Sequence, residues 1–316
     1  MPTLPLVTIA IPTYNRASGY LGETLGCALG QTYPHLDIIV CDNCSPDHTE
    51  AYVRSVADPR LRYFRHEPGL LPNDNFNFGL QQARGEYFLL LHDDDLIDAD
   101  FVESCVRAVR ERGPAGLIRT GARRIDGHGA VLLEVPNEAG GLPMGDFMLA
   151  WLASRSVPMY LCNSLFNTAH LLKIGGFRSR HNLFQDALAE LTVAARFGRI
   201  DVKEIKASYR VHASQRARGA LVWAWCEDSQ QLLDAMCALA PAQAETIRQY
   251  GRWFFSVHNY RLAALVPPGP ERWRAQWQVF RAFDLPGGYT FNRWLRPLRA
   301  LKHRFVDGMR GESAYA

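Results

Sequence analysis

Apolar residues recur through the first hundred positions in short runs, each closed by polar turn residues. Leu6–Ile11 is one run, and Pro12-Thr13-Tyr14-Asn15-Arg16 stops it and opens a turn. Leu36–Cys41 is a second, leading into Asp42-Asn43-Cys44-Ser45-Pro46-Asp47. Leu61–Phe64 reads as a third, edge-like strand, and Tyr87–Leu91 as a fourth. Continuous apolar runs of this length fit strands buried on both faces. Helices are predicted between them: Ser18–Leu29, Ala51–Val56 and Asn73–Ala83, with Phe76 and Leu80 at i, i+4 on the inner face of the last. Ser45 or Asp47 is placed to cap the second. Strand and helix in alternation argue a parallel sheet wrapped by helices, joined by right-handed crossovers.

The pattern continues less regularly. Phe101–Arg112 is an amphipathic helix, which Asp98 or Asp100 would cap, and Gly116–Arg119 is a strand. Asp126-Gly127 and Gly129 suggest a hairpin turn. Gly175-Gly176-Phe177 makes a sharp turn before a helix at Phe184–Phe197, and Ile200–Val211 reads as one or two last strands ending at His212. Arg216, Arg218 and Gly219 follow in a polar loop. From Ala220 strand signals vanish and helical periodicity takes over, punctuated by Pro267-Pro268-Gly269-Pro270. The expected fold class is α/β, a Rossmann-like mixed central sheet flanked by helices, with a helical C-terminal extension. Residues 1–215 form the α/β domain, with halves 1–112 and 113–215, and residues 216–316 form the extension.

One stretch carries unusual chemistry. The buried run Tyr87–Leu91 leads through His92 into Asp93, Asp94 and Asp95. Adjacent carboxylates are costly unless something positive neutralises them. In open α/β sheets ligands bind just past the carboxyl ends of the strands. A divalent cation with oxygen ligands, Mn2+ or Mg2+, suits that position. The competing reading is a solvated acidic loop.

Composition narrows the classes. The chain has 316 residues, 47% hydrophobic, with net charge +3, enough for one large core or two modest ones. Met1–Pro5 has no basic region and Leu6–Ile11 is too short for an export core, so no signal peptide is expected. No stretch approaches a membrane span. Seven scattered cysteines suit a reducing cytoplasm, and the Cys41/Cys44 pair has no second pair to complete a zinc site. Neither G-x-G-x-x-G nor a P-loop is present, which excludes those nucleotide chemistries.

Several segments together, in order, resemble the family 2 glycosyltransferases of GT-A fold. They are PLVTIAIPTYNR, IIVCDNCSPDHT, NFGLQQARGEYFLLLHDDDLIDADF, IGGF, QDALAEL and YRVHASQ, spread over Leu6–Gln215. The resemblance implies inverting, metal-dependent transfer of a sugar from a nucleotide diphosphate. Asp42 then matches the aspartate that binds the base, whose carboxylate accepts the N3–H of uracil or thymine. Thr13, Tyr14 and Arg16 lie at the neighbouring strand end, with Arg65 and Asn77, and more weakly Asn73, as further nucleotide contacts. An Asn on a predicted helix otherwise faces solvent. Asp93–Asp95 match the D-x-D region: Asp94 is the leading metal ligand, Asp95 a second, and Asp93 reaches the ribose or a metal water. His92 stands where the family often has an acid, which leaves the ligand register open by one residue. Asp186 matches the catalytic base, with Gln185 in place of the usual preceding acid and Glu190 as fallback. His212 matches a histidine of the metal shell. Arg216 and Arg218 are candidates to fold over the diphosphate and exclude water.

The implied partners are a UDP- or dTDP-sugar and a glycan or lipid-linked acceptor in bacterial polysaccharide or glycoconjugate synthesis. Arg119, Trp151, Tyr160 and Asn163 are acceptor-side candidates. The alternative function is a nucleotide-sugar-binding scaffold without activity. Asn292–Arg310 reads as a basic amphipathic helix, and from Pro267 to Ala316 nine Lys or Arg face four Asp or Glu. Such a helix either packs on the domain or lies on an anionic membrane. That would place a cytoplasmic protein at the inner face of the cytoplasmic membrane. No nucleic-acid recognition motif accompanies the basic patch. The extension shapes the acceptor cleft, docks on the membrane or pairs subunits.

Overall fold

The structure, a computed structural model, describes residues 4–153, 156–212 and 221–283. Strand and helix alternate first: β1 (Val7–Thr13), α1 (Leu21–Leu29), β2 (Leu36–Asp42), α2 (Thr49–Ser55), β3 (Leu61–Arg65), α3 (Pro72–Gln82) and β4 (Tyr87–Leu90). Then come β5 (Leu96–Ile97), α4 (Phe101–Arg112), β6 (Leu117–Ile125), β7 (Val131–Val135), α5 (Met144–Leu152), β8 (Ser164–Asn167) and α6 (Thr168–Lys173). α7 (Gln185–Phe197), β9 (Arg199–Arg210), α8 (Val222–Leu239), α9 (Ala244–Leu265) and α10 (Pro270–Phe283) complete the order.

Nine strands form one sheet in the order β3-β2-β1-β4-β8-β6-β9-β5, with β7 paired to β6. β1 to β4 are mutually parallel where they pair. β8 enters antiparallel to β4 and β6, and β9 returns parallel to β6, so the sheet is mixed. Every residue of β1, β2 and β4 is buried, as expected of strands covered on both faces. α1, α2 and α4 close one face around Ile9, Ile38 and Leu89. α3, α6 and α7 close the other around Ala10, Phe88 and Leu90. A third cluster joins α5 and α7 to α8, α9 and α10. The C-terminal helices therefore share apolar core with the helix that begins at Gln185.

Several local expectations change. β1 runs on through Pro12 to Thr13. Its pairing with β4 stops at Ala10, so beyond that point β1 has one strand neighbour and tolerates a residue without an N–H. α1 starts at Leu21, because Arg16–Gly19 closes a turn first (Gly19 N donates to Arg16 O, 2.9 Å). Neither Asp98 nor Asp100 caps α4 through its side chain. Asp98 pairs with Arg123 at 2.7 Å and Asp100 with Lys206 at 2.6 Å, tying the α4 entrance to the sheet. Asp47 does act at the start of α2, accepting from Thr49 N at 3.0 Å. β5, β8, α5 and α6 carry no clear signal in the sequence, whereas β7 follows the hairpin turn expected at Asp126–Gly129. β5 is two residues long, and Val131, Leu132 and Leu133 of β7 are exposed.

Candidate active site

Strand register assembles the site. Thr13 lies opposite Asp42, and Asp42 opposite Arg65, so three strands end level. On the other side of β1, Ala10 lies opposite Leu90, and the same offset sets Thr13 beside Asp93. Thr13 Oγ1 donates to Asp93 Oδ2 at 2.8 Å. From the far end of the sheet, β5 pairs antiparallel with β9, Leu96 opposite Ser208. One step further, that pairing carries Asp94 and Asp95 against Arg210 and His212. Arg210 N donates to Asp95 Oδ1 at 2.9 Å, and His212 Nε2 lies 2.8 Å from Asp94 Oδ2. His92 Nδ1 is 3.8 Å from Asp95 Oδ2. One ligand atom each from His92, Asp94 and Asp95 fall within 4.8 Å of one another. The three aspartates are thus folded inward, not splayed into solvent.

The electrostatics fit a cation. Burial pushes the Asp93 carboxyl up, the Asp94 charge adds to this, and the Thr13 hydrogen bond and the charges of Arg16 and His92 oppose it. Asp95 is pushed well above the usual carboxylate range by burial and then by Asp94, against the Arg210 N–H. Carboxylate oxygens with one or two imidazoles form a donor set suited to Mn2+ or Mg2+, the imidazoles favouring Mn2+. Such an ion would offset the burial and mutual repulsion of the acids.

Asp186 is the second residue of α7, and its Oδ1 accepts from Ala187 N at 2.8 Å. Burial raises its carboxyl, and the Ala187 N–H and the His92 charge draw it back. Glu190, one turn on, is 1% exposed and its Oε2 lies 3.3 Å from Nε of the fully buried Arg119. Burial nonetheless pushes Glu190 up to about 8. An interior position of this kind withdraws Glu190 as a fallback base.

Other candidates fall differently. Asp42 is fully enclosed: Ser45 N donates to Oδ1 at 2.9 Å, and Tyr63 hydroxyl and Arg65 Nη1 reach Oδ2 at 2.5 and 3.3 Å. Arg65 divides its guanidinium among Asp42, Ser45 O and Glu67. Tyr14 is 47% exposed at the rim. Asn77 is a correction. Its Nδ2 donates to Phe177 O at 3.0 Å and its Oδ1 accepts from Phe177 N at 2.8 Å. Gly176 permits this approach, since a Cβ there would stand 2.2 Å from Asn77 Oδ1. Asn73 also donates to Phe177 O, at 2.8 Å, and Asn75 Nδ2 to Cys41 O at 3.0 Å. The three asparagines are buried staples, not solvated polar residues. Arg119 and Asn163 are interior, Tyr160 stacks on Tyr209 at 4.5 Å, and Trp151 packs on Phe254. Arg216, Arg218 and the basic segment Asn292–Arg310 lie outside the described residues.

Arg210 is the residue that sequence reasoning missed. Its side chain is 1% exposed, its Nε donates to Asp94 O at 2.8 Å, and its Nη2 meets Glu23 Oε2 at 2.7 Å. The guanidinium sits 4.2 Å from the Tyr20 ring centroid. Thr24 Oγ1 adds a bond to Asp95 O at 2.9 Å. A charged residue at the end of the last strand, two before His212, was the available signal.

Residues 8–131 match the family model described as Glycosyl transferase family 2. An uncharacterized glycosyltransferase of Rickettsia felis is 30% identical over 185 residues, 58% of this chain and 30% of that protein. A GalNAc(5)-diNAcBac-PP-undecaprenol beta-1,3-glucosyltransferase of Campylobacter jejuni is 36% identical over 97 residues, 29% of this chain and 30% of that protein. The chain thus spans about a third of the length of these curated relatives. Among solved structures, S. aureus TarS 1-349 in complex with UDP-GlcNAc superposes with TM-score 0.64 at 17% identity, over 88% of this chain and 81% of that 1–349 chain. The mannosyltransferase PcManGT of Pyrobaculum calidifontis, with GDP-Man and Mn2+, gives 0.53 at 17% identity, over 95% and 85%. These likenesses establish the fold.

Proposed function

We propose that this chain, a family 2 glycosyl transferase through residues 8–131, moves a sugar from a UDP- or dTDP-sugar to a hydroxyl of a glycan or lipid-linked acceptor, with inversion. The observation that carries the reading is the convergence of His92, Asp94, Asp95 and His212 at the tip of β4. Asp94, Asp95 and His212 would hold Mn2+ or Mg2+, which when bound offsets the charge of the departing diphosphate. Asp93, steadied by Thr13, faces the ribose, and Arg16 adds positive charge beside it. Tyr14, exposed at the rim, is placed to cover the base. A uracil or thymine N3–H reaching Asp42 displaces Tyr63 or Arg65 from Oδ2. Asp186 takes the proton of the attacking hydroxyl. A base whose affinity for protons is raised by burial suits that step better than an ordinary carboxylate. Arg216 and Arg218, outside the described residues, are the candidates to offset the diphosphate charge and to exclude water, the competing nucleophile.

The donor is found by thermal shift over a panel of nucleotide sugars with Mn2+, since a ligand of the native state raises its melting temperature. With that donor, Asp94→Ala and Asp186→Asn are expected to abolish transfer while the protein stays folded. Near-normal transfer by Asp186→Asn refutes the base assignment. Donor binding without transfer or donor hydrolysis in the unaltered chain refutes the enzyme reading.

A further inference from the structure

The turn that precedes Asp186 is held by the C-terminal helical layer rather than by the sheet. Asp228, in the second turn of α8, is fully buried. Its Oδ1 accepts from His181 N at 2.7 Å, and its Oδ2 from Leu183 N at 2.9 Å and from the Ser179 hydroxyl at 2.6 Å. On the same helix Gln231 Oε1 accepts from Arg180 N at 2.7 Å, and Glu227 Oε2 lies 2.9 Å from His181 Nε2. One helix therefore captures the backbone N–H groups of residues 180, 181 and 183. Asn182, between the captured residues, has φ 58°, a left-handed turn conformation that asparagine adopts readily. Phe184 then packs its ring 5.3 Å from Trp225 of α8 and 5.5 Å from Phe255 of α9. α7 begins at the next residue, and Asp186 follows.

We propose that Asp228 is a positioning residue for transfer: it clamps residues 179–183 and thereby fixes where α7 starts and where the Asp186 carboxylate stands. The proposal rests on the reading of Asp186 as the base. It gives the helical layer a direct part in the chemistry, apart from any acceptor or membrane contact. A carboxylate is suited to the task because it offers two acceptor oxygens and no donor to three donors that converge on it. In Asp228→Asn one of those oxygens becomes an NH2 group facing a donor, and the turn must shift. Displacement of a reacting group by about 1 Å costs on the order of 100-fold in rate.

The test uses the full 316-residue chain. In Asp228→Asn, kcat for transfer is expected to fall about 10- to 100-fold. Mn2+–UDP binding, measured by calorimetry, stays as in the parent, because Asp228 touches no nucleotide or metal candidate. The amides of His181, Leu183 and Ala187 exchange faster in native-state hydrogen exchange. Ser179→Ala, which removes one of the three bonds, gives a smaller loss of the same kind and serves if Asp228→Asn does not fold. Faster exchange at His181 and Leu183 with kcat unchanged overturns the proposal, as does a loss of nucleotide binding in step with kcat. Full transfer by Asp186→Asn removes the base reading and this role with it. That outcome is distinguishable, because the amides of His181 and Leu183 still lose protection in Asp228→Asn.

Discussion

Replacing Arg210 by Met tests whether the acidic segment depends on the cation behind it. Met retains much of the side-chain volume, so the change removes charge and donors more than packing. Nε loses its bond to the half-buried Asp94 O (2.8 Å), and a hydrogen bond from a charged donor contributes about 1.5–3 kcal/mol. The contact with Tyr20 at 4.2 Å, shielded from water, contributes about 0.5–2 kcal/mol. The Glu23 pair adds little, because that carboxylate is 57% exposed and rehydrates. The expected loss is thus about 2–5 kcal/mol. The Arg210 N–H to Asp95 survives, since it is backbone. Urea unfolding with and without Mn2+ measures both parts. The variant is expected to be less stable by that amount and to gain more from Mn2+ than the parent, because the acids have lost their permanent counter-charge. A loss below about 1 kcal/mol, with an unchanged response to Mn2+, would show that Arg210 neither supports nor neutralises the segment.

Asn77→Ala leaves the buried Phe177 N–H without its partner, while Phe177 O keeps its bond from Asn73, and is expected to cost about 1–3 kcal/mol in urea unfolding while UDP affinity is retained. A variant that loses nucleotide affinity without losing stability would return Asn77 to the nucleotide. Glu190 is protonated in the native state up to about 8 but ionises in the unfolded chain near 4.5, so the native state holds the extra proton between those values. Stability is therefore expected to fall with rising pH across that window, at most about 1.4 kcal/mol per pH unit, and Glu190→Gln flattens the slope. Equal slopes in parent and variant refute this. Truncation after Pro286 removes the basic segment and is expected to weaken binding to anionic vesicles in sedimentation. Equal binding by the truncated protein excludes a membrane role for that segment. No helix among the described residues is long and apolar enough to cross a membrane.

The parts of the site that were legible in sequence are those whose meaning is local. Apolar runs ending at Ile11, Cys41 and Leu91, just before Thr13, Asp42 and Asp93, mark strand tips without knowledge of their neighbours, because burial on both faces leaves a continuous apolar string. The parallel half of the sheet follows from the same alternation. The mixed half was blurred, because β5 has two residues and β8 four, too short to show a period. The residues misread are polar ones whose partners are far along the chain. Asn77 reads from sequence as a solvated or nucleotide-facing residue, yet it bonds Phe177, 100 residues away. Asp228 had no role until the turn at 179–183, some 45 residues earlier, was seen against it. Polarity alone places such residues outside, since the cost of burying them is certain and the offsetting partner is invisible. The same asymmetry explains why Arg210 was passed over while His212, two residues on, was noticed: an imidazole announces chemistry by type, whereas a guanidinium sealed under an acidic turn announces it only by position. The acids at the tip of β4 could be read from sequence. What keeps them folded inward is a buried cation and a last strand, supplied from more than a hundred residues downstream.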